Sequence, residues 1–235
     1  MKYFLALFFA GVFFLSACKD ESSDEPQAIP VTTEESIEKL DTVFSAKSVE
    51  LLNQLAFSKY ARTQSAPVDW TTFRMVTSSH DDSMLLSQFV SDTAFYKKYG
   101  KLLKYSPDSS MFIDLDSYNI DFHHNSQGQL SPIEKGPDTE ISLVELADNE
   151  RTRLLFLGPG NSVEEATWIN NEDLLLIGYH ASDTTNQRTP VIWRYHIPTK
   201  TFYIYESDDK TIGGQLVNWR KERFRQISSS PKTLI

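Results

Sequence analysis

Five potential metal ligands lie close together in the sequence: Asp114, Asp116, Asp121, His123 and His124. Carboxylate oxygens and imidazole nitrogens bind Zn²⁺, and carboxylates also bind Ca²⁺. In an extended strand Asp114 and Asp116 share one face, and so do Asp121 and His123, so a bulge between the pairs could bring four ligands to one ion. The alternative is that these are solvent-facing residues of a half-buried strand, because Asp-x-Asp lacks the glycine and spacing of a calcium loop. We adopt the second interpretation and keep Asp114, Asp116, Asp121 and His123 as the candidate metal ligands.

A second candidate site is aromatic. Trp193, Tyr195, Tyr203 and Tyr205 lie on two predicted strands joined as a hairpin. Cross-strand pairs there could form a platform for a sugar ring or a protein partner, with Trp193 and Tyr195 on one face and Tyr203 and Tyr205 on another. The other interpretation is that these side chains pack in the core.

The remaining polar clusters give weaker indications of chemistry. Residues 220–225, Arg-Lys-Glu-Arg-Phe-Arg, form a basic island that could contact phosphate or carboxylate groups, or could be a solvated segment near the C-terminus. His80-Asp81-Asp82 is typical of a solvated turn, and His180 and His196 are expected to be half-buried. The sequence has no glycine-rich phosphate loop, no Gly-x-Ser-x-Gly and no His-Glu-x-x-His. We therefore predict no catalytic residues and no cofactor.

Helices are predicted before residue 100. Thr32 and Glu35 have capping-box spacing, which predicts a short helix over residues 33–44. An apolar stripe predicts a second helix over residues 47–61, and a third is expected from Asp92 to Tyr99, ending at Gly100. Residues 68–76 are predicted to form a strand.

From residue 101 the hydrophobic period changes to two, which indicates antiparallel strands. The parity changes near Ser117, which indicates a bulge or turn there. The predicted strands cover residues 111–115, 118–122, 141–146, 153–157, 174–179, 191–197 and 202–206. The predicted fold class is therefore mainly β with N-terminal helices (α+β).

Within the strands there is a degenerate internal repeat. Tyr105 precedes a polar turn and the strand at 111–115, and Trp168 precedes a polar turn and the strand at 174–179; a hairpin follows each strand. The first turn, Ser106-Pro107-Asp108-Ser109, resembles the turn of β-propeller blades in the Tol-type and WD-repeat-like families. Two copies cannot close a propeller, which needs about four blades. We predict two antiparallel blade-like meander sheets covered by a short helical segment.

The N-terminus has the pattern of an export signal. Lys2 is followed by an apolar run and by Leu15-Ser16-Ala17-Cys18, which resembles the bacterial lipobox. The resemblance implies cleavage before Cys18, acylation of its thiol and amine, and a membrane anchor made of acyl chains, including palmitate. The following Lys19-Asp20-Glu21 resembles the export tag of surface lipoproteins in the Bacteroidetes. The lipobox resemblance implies a lipoprotein of the outer membrane, and the tag resemblance implies display at the cell surface.

These indications divide the chain into a signal peptide (1–17), a lipidated cysteine and disordered tether (18–31), a helical region (32–100), an antiparallel β-domain (101–227) and a flexible tail (228–235). Loss of Lys2 with the signal peptide would take the net charge from −9 to −10, which argues against nucleic acid as a partner. We expect a non-catalytic binding or scaffold module with a membrane anchor and an envelope protein or glycan as partner. The alternative is a metal-dependent or glycan-directed hydrolase.

Overall fold

The computed structural model describes residues 43–124, 126, 130–181 and 187–229. They belong to one compact unit that is mainly antiparallel β, with four α-helices among the described residues. The predicted fold class is confirmed. The predicted signal peptide, Cys18, the tether and all but two residues of the predicted helix at 33–44 lie outside the described residues.

Three of the described α-helices lie before residue 100 and the fourth follows the last strand. The helices are α1 (Ala46–Gln54), α2 (Ala56–Thr63), α3 (Thr93–Tyr99) and α4 (Lys210–Ser229). The strands are β1 (Arg74–His80), β2 (Leu86–Gln88), β3 (Lys104–Tyr105), β4 (Met111–Asp114), β5 (Ile120–His124), β6 (Leu130–Glu134), β7 (Thr139–Glu145), β8 (Glu150–Leu157), β9 (Ser162–Trp168), β10 (Asp173–Ala181), β11 (Arg188–His196) and β12 (Thr201–Glu206).

The strands form two five-stranded sheets of matching topology. Sheet I has the order β1-β12-β11-β10-β9 and sheet II the order β2-β8-β7-β4-β3, while β5 and β6 form a separate hairpin. In each sheet a short or polar strand precedes a turn and a three-stranded meander, which is the arrangement expected from the internal repeat. The predicted blade-like sheets are therefore present, but each has five strands where the repeat indicates three. Of the additional strands β1, β2, β3 and β9, only β1 overlaps a predicted strand, the one at residues 68–76.

One of the additional strands in each sheet comes from the N-terminal region. β1 pairs with β12 in sheet I, and the next strand, β2, pairs with β8 in sheet II. Residues 32–100 are thus not a separate helical region, because their strands complete both sheets. Most of β1 and all of β2 are exposed, and their polar sequences lack the apolar alternation that identifies a half-buried strand.

The two sheets pack face to face between layers of helix. Strand β10 is buried on both sides, because Leu174 and Leu176 contact sheet II while Leu175 and Ile177 contact the helices. Helices α1, α2 and α4 cover sheet I, and α3 packs with the β5–β6 hairpin on the outer face of sheet II. A strand that is buried on both faces has a continuous apolar sequence, which explains the sequence of β10.

The helices before residue 100 follow the predictions with one difference. Asp92 caps α3 by accepting a hydrogen bond from the Phe95 amide at 2.6 Å, and Gly100 follows its last residue, as expected. The single helix predicted over residues 47–61 is broken at Leu55, which has an extended conformation and a buried side chain. After the break, the first two amides of α2 donate hydrogen bonds to Glu165 of β9.

Helix α4 was not predicted, since residues 210–227 were assigned to the β-domain. Its buried face carries Ile212, Leu216 and Trp219, which recur at helical spacing and pack on sheet I. Gly213 and Gly214 in its first turns lower its intrinsic helix propensity. Tertiary packing therefore decides that this segment is helical.

The two adjacent glycines of α4 have different roles. A Cβ atom on Gly213 would lie 2.8 Å from the Arg188 Cβ and closer still to the Arg188 carbonyl oxygen, whereas a Cβ on Gly214 would meet open space. We expect Gly213→Ala to lower the free energy of unfolding by about 2 kcal/mol. Gly214→Ala is the matched control and should raise it by about 1 kcal/mol. Denaturant unfolding measures both, and equal effects would contradict the close approach at Gly213.

Candidate functional site

The structure places the first two candidate metal ligands in separate arginine contacts. Asp114 is buried, accepts hydrogen bonds from the Asp116 and Ser117 amides at 3.1 and 2.9 Å, and lies 3.2 Å from an Arg151 nitrogen. Asp116 is also buried and binds both terminal nitrogens of Arg223 at 2.8 and 2.9 Å. Their oxygens are therefore occupied by protein donors.

The other two candidates lie on β5 and contact each other. His123 Nε2 is 3.0 Å from Asp121, which also forms an ion pair with Lys98. These contacts lower the pKa of Asp121, with the Lys98 hydrogen bond as the largest cause. Among the described residues, no group of three or more His, Cys, Asp or Glu side chains is arranged to hold a metal ion. The four candidates are not brought together around one point.

The aromatic residues of β11 and β12 are mostly core residues. Trp193 and Tyr195 are buried between the two sheets, and Tyr205 is buried under the helices, where its ring lies 4.2 Å from that of Phe44. Only Tyr203 is partly exposed. Three of the four side chains therefore pack in the core, in agreement with the second interpretation of the sequence, and they do not form an exposed platform.

The basic island lies in α4 and its central arginines point inwards. Arg220 donates to Ser162 at 2.8 Å and to Glu164 at 3.2 Å, and Arg223 binds Asp116. Arg225 stays on the surface in a pair with Glu222. The island thus connects α4 to sheet I through Arg220 and to the turn after β4 through Arg223, and is neither an exposed basic patch nor a solvated segment.

The predicted histidine environments differ from one another. His80 is the exposed last residue of β1 and lies 2.9 Å from Asp82 in the turn that follows, and the hydrogen bond to Asp82 raises the pKa of His80. His180 is half-buried against the Trp193 ring, and burial lowers its pKa. His196 lies 3.3 Å from Asp173. None of these contacts brings a histidine to a nucleophile or to a second histidine.

A cavity of about 280 Å³ lies where the edge strands of the two sheets meet α4. We call it the interblade cavity. Its walls come from α2, the α3–β3 segment, β9 and α4, and it is lined by Ala56, Lys98, Lys101, Leu102, Lys104, Glu164, Glu165, Trp219, Arg223, Gln226 and Ile227. The sequence had singled out none of these residues except Arg223, and residues 162–168 had not been recognised as a strand.

A β-bulge directs two consecutive glutamates towards this cavity. Glu165 pairs with Ile177 and Val163 pairs with Gly178, so Glu164 between them has no partner on β10. Consecutive residues of a regular strand point to opposite faces, but at a bulge an extra residue is re-aimed. The backbones are so close that a Cβ on Gly178 would lie 2.8 Å from the Ser162 carbonyl carbon. Glycine at position 178 makes the bulge possible.

Glu164 is completely buried. One of its oxygens contacts Arg220 at 3.2 Å, and its other oxygen, Oε2, has no hydrogen-bond partner among the described residues. Burial raises the pKa of Glu164, with Arg220 and Arg223 acting in the opposite direction. A buried carboxylate with an unpaired oxygen costs free energy, which is typical of a functional site.

Glu165 caps the N-terminus of α2. Its two oxygens accept hydrogen bonds from the Ala56 and Phe57 amides at 3.2 and 2.8 Å. Leu55, the residue before α2, has no side chain that could provide this cap. Burial raises the pKa of Glu165, and the amide hydrogen bonds oppose that shift. Glu165 therefore holds α2 against β9, and both of its oxygens are occupied.

The raised pKa of Glu164 predicts a pH-dependent contribution to stability. The native state binds the proton more tightly than the unfolded chain, so this contribution falls as the pH rises above the ordinary glutamate pKa of 4.5. As the pH is raised from 4.5 to 7, we expect the free energy of unfolding of the Glu164→Gln variant to increase relative to that of the natural protein. Urea unfolding at several pH values measures the difference. A difference independent of pH, or one that changes in the opposite sense, would show that the pKa is not raised.

Two more buried atoms of the cavity-lining side chains lack partners. Trp219 Nε1 and Arg223 Nε form no hydrogen bond within the described part of the chain. Together with Glu164 Oε2 they are three buried polar atoms of residues around one cavity. Nearly all buried polar groups in native proteins are paired, so three unpaired atoms among the residues of one cavity make this cavity the candidate binding site.

Comparison with protein-family models, with curated proteins and with solved structures gives no match for this chain. No helix of the described residues is long and apolar enough to cross a membrane.

Proposed function

We propose that this protein is a lipid-anchored protein of the cell envelope, held in the outer membrane through Cys18, whose two-sheet domain is a non-catalytic binding module. The interblade cavity carries the binding part of the proposal, because unpartnered buried atoms of Glu164, Trp219 and Arg223 belong to its lining residues. The sequence Leu15-Ser16-Ala17-Cys18 supports the anchor.

The cavity residues favour binding over catalysis. Glu165 uses both oxygens to cap α2, and Glu164 is held by Arg220, so the two carboxylates do not form an acid and base pair free to act on a substrate. The bulge, the cap and the arginine contact all fix the position of the walls. A preformed cavity with fixed polar groups is the usual form of a small-molecule binding site.

A crystallographic screen tests the binding proposal. Crystals of the mature domain would be soaked with a set of compounds of about ten non-hydrogen atoms, chosen to include acids, amines and neutral molecules. We expect compounds in the interblade cavity with hydrogen bonds to Trp219 or Glu164. Compounds found only elsewhere on the surface would contradict the proposal.

Membrane fractionation tests the anchor independently. The natural protein is expected in the membrane fraction with a mass that includes acyl chains on Cys18, and the Cys18→Ser variant is expected to lose both properties. An unmodified Cys18 in membrane-extracted protein would contradict the anchor and leave the binding proposal unaffected.

A further inference from the structure

We propose that the interblade cavity binds a small organic anion, a molecule with one carboxylate-like group and an apolar body. This inference rests on the proposed binding function and names the chemical class of its ligand. It follows from three properties of the cavity, which are the charge of its walls, its unpaired donors and its size.

The walls are cationic although the protein is acidic. Lys98, Lys101, Lys104 and Arg223 line the cavity beside two glutamates, whereas the whole chain has a net charge of −9. Four of the lining charges are already engaged: Glu165 binds the α2 amides, Glu164 contacts Arg220, Lys98 pairs with Asp121 and Arg223 binds Asp116. This leaves the Lys104 ammonium as a lining cation with no hydrogen bond or ion pair to any described residue. A concave site with a surplus of one sign of charge raises the local concentration of ligands that carry the opposite charge. An anion is therefore the favoured occupant.

The unpaired polar groups are mainly donors. Trp219 Nε1 and Arg223 Nε can only donate hydrogen bonds, and both lack an acceptor in the described part of the chain. The Lys104 ammonium likewise has no hydrogen bond or ion pair with any described residue, although its charge acts on Glu165. This set needs a ligand rich in acceptors, and a carboxylate provides about four lone-pair sites.

The size and the apolar walls restrict the rest of the ligand. The cavity volume of about 280 Å³ equals the volume of about nine water molecules in the liquid, at about 30 Å³ each. A cavity of this size suits a ligand of about ten non-hydrogen atoms. Leu102, Ile227 and the Trp219 ring provide apolar surface beside the donors. Such a cavity fits a monocarboxylate with a short hydrocarbon body better than an inorganic ion.

Titration calorimetry with octanoate tests the inference, with octan-1-ol and octylammonium as neutral and cationic probes of the same length. We expect octanoate to bind most tightly and its binding to weaken as salt is added. Lys104→Gln should weaken octanoate binding about tenfold, the equivalent of one charge-assisted hydrogen bond. Lys221→Gln is the matched control, because Lys221 is exposed on α4 and does not line the cavity, and it should leave the affinity unchanged.

Two filling variants locate the bound probe. Ala56→Trp and Gln226→Trp each add a large side chain at an exposed helix position that lines the cavity, so one variant remains informative if the other fails to fold. Both should abolish octanoate binding while thermal unfolding remains cooperative. Octanoate binding that resists Lys104→Gln and both filling variants would overturn the inference.

The probes also separate this inference from the function on which it rests. If octan-1-ol or octylammonium binds as tightly as octanoate, and the filling variants abolish that binding, the cavity is a binding site but the anion class is wrong. If none of the three probes binds and the crystallographic screen leaves the cavity empty, both the anion class and the binding function are wrong.

Discussion

Arg223→Met is expected to lower the free energy of unfolding by about 3 to 5 kcal/mol, because it leaves Asp116 as a buried charge without a partner. The Asp116 side chain is only 4% exposed, and Arg223 binds both of its oxygens at 2.8 and 2.9 Å. The Arg223 charge also acts on Glu164, and both residues line the interblade cavity. Chemical denaturation monitored by fluorescence measures the loss.

A surface arginine of the same helix is the control for this experiment. The Arg225 side chain is 69% exposed and pairs with Glu222, so Arg225→Met should change stability by less than about 1 kcal/mol. The double variant Asp116→Asn with Arg223→Met should recover part of the loss, since it removes both charges. A single Arg223 variant as stable as the Arg225 control would show that the buried ion pair does not hold α4 to the rest of the domain.

Gly178→Ala is expected to destabilise the protein by about 3 kcal/mol or more, because the new methyl group would collide with the backbone of β9. A Cβ at position 178 would lie 2.8 Å from the Ser162 carbonyl carbon and 2.9 Å from the Val163 Cα, and closer still to the Ser162 oxygen. The strands must separate at the bulge to accommodate it. Thermal unfolding and the amide exchange of β9 measure the effect.

Gly158→Ala provides the comparison for Gly178→Ala. Gly158 lies in the turn between β8 and β9, and a Cβ at this position would have no described atom within 4 Å. We expect Gly158→Ala to change the free energy of unfolding by less than about 0.5 kcal/mol. If Gly178→Ala were equally mild, the close strand contact at the Glu164 bulge would be contradicted, and with it the fixed position of Glu164.

Both predictions concern the same region of the molecule. Helix α4 contacts sheet I through Trp219 and Arg220 and the turn after β4 through Arg223. The bulge of β9 supplies the opposite wall of the interblade cavity. Residues that hold the two sheets together therefore also form the candidate binding site, so stability and ligand binding are expected to be coupled at this position.

The candidate site was largely hidden from sequence analysis for an identifiable reason. Glu164 and Glu165 are consecutive acidic residues in a buried strand, a pattern that argues against a strand because each charge must be compensated. Glu164 is compensated by Arg220, which lies 56 positions later in the chain. Glu165 is compensated by the first amides of α2, of which the Phe57 amide lies 108 positions earlier. Only the fold shows that these partners are present.

The candidate ligands Asp114 and Asp116 illustrate the same limit. Their carboxylates were recognised as chemically important, and they are buried, but Asp116 binds an arginine 107 positions later in the chain. Sequence spacing within one strand could not reveal that partner. The aromatic residues of β11 and β12 were likewise recognised as a group, while their burial depends on the sheet and the helices that cover them.

The sequence by itself determined the mainly antiparallel β class, the repeat of turn and meander, and the cap and end of α3, because each depends on neighbouring residues or on a period of two. The tertiary structure decided the helical state of residues 210–229, the strand at Glu164 and Glu165, and the cavity between the sheets. These depend on contacts between segments far apart in the chain, where buried charges are tolerated only because the fold brings their partners to them.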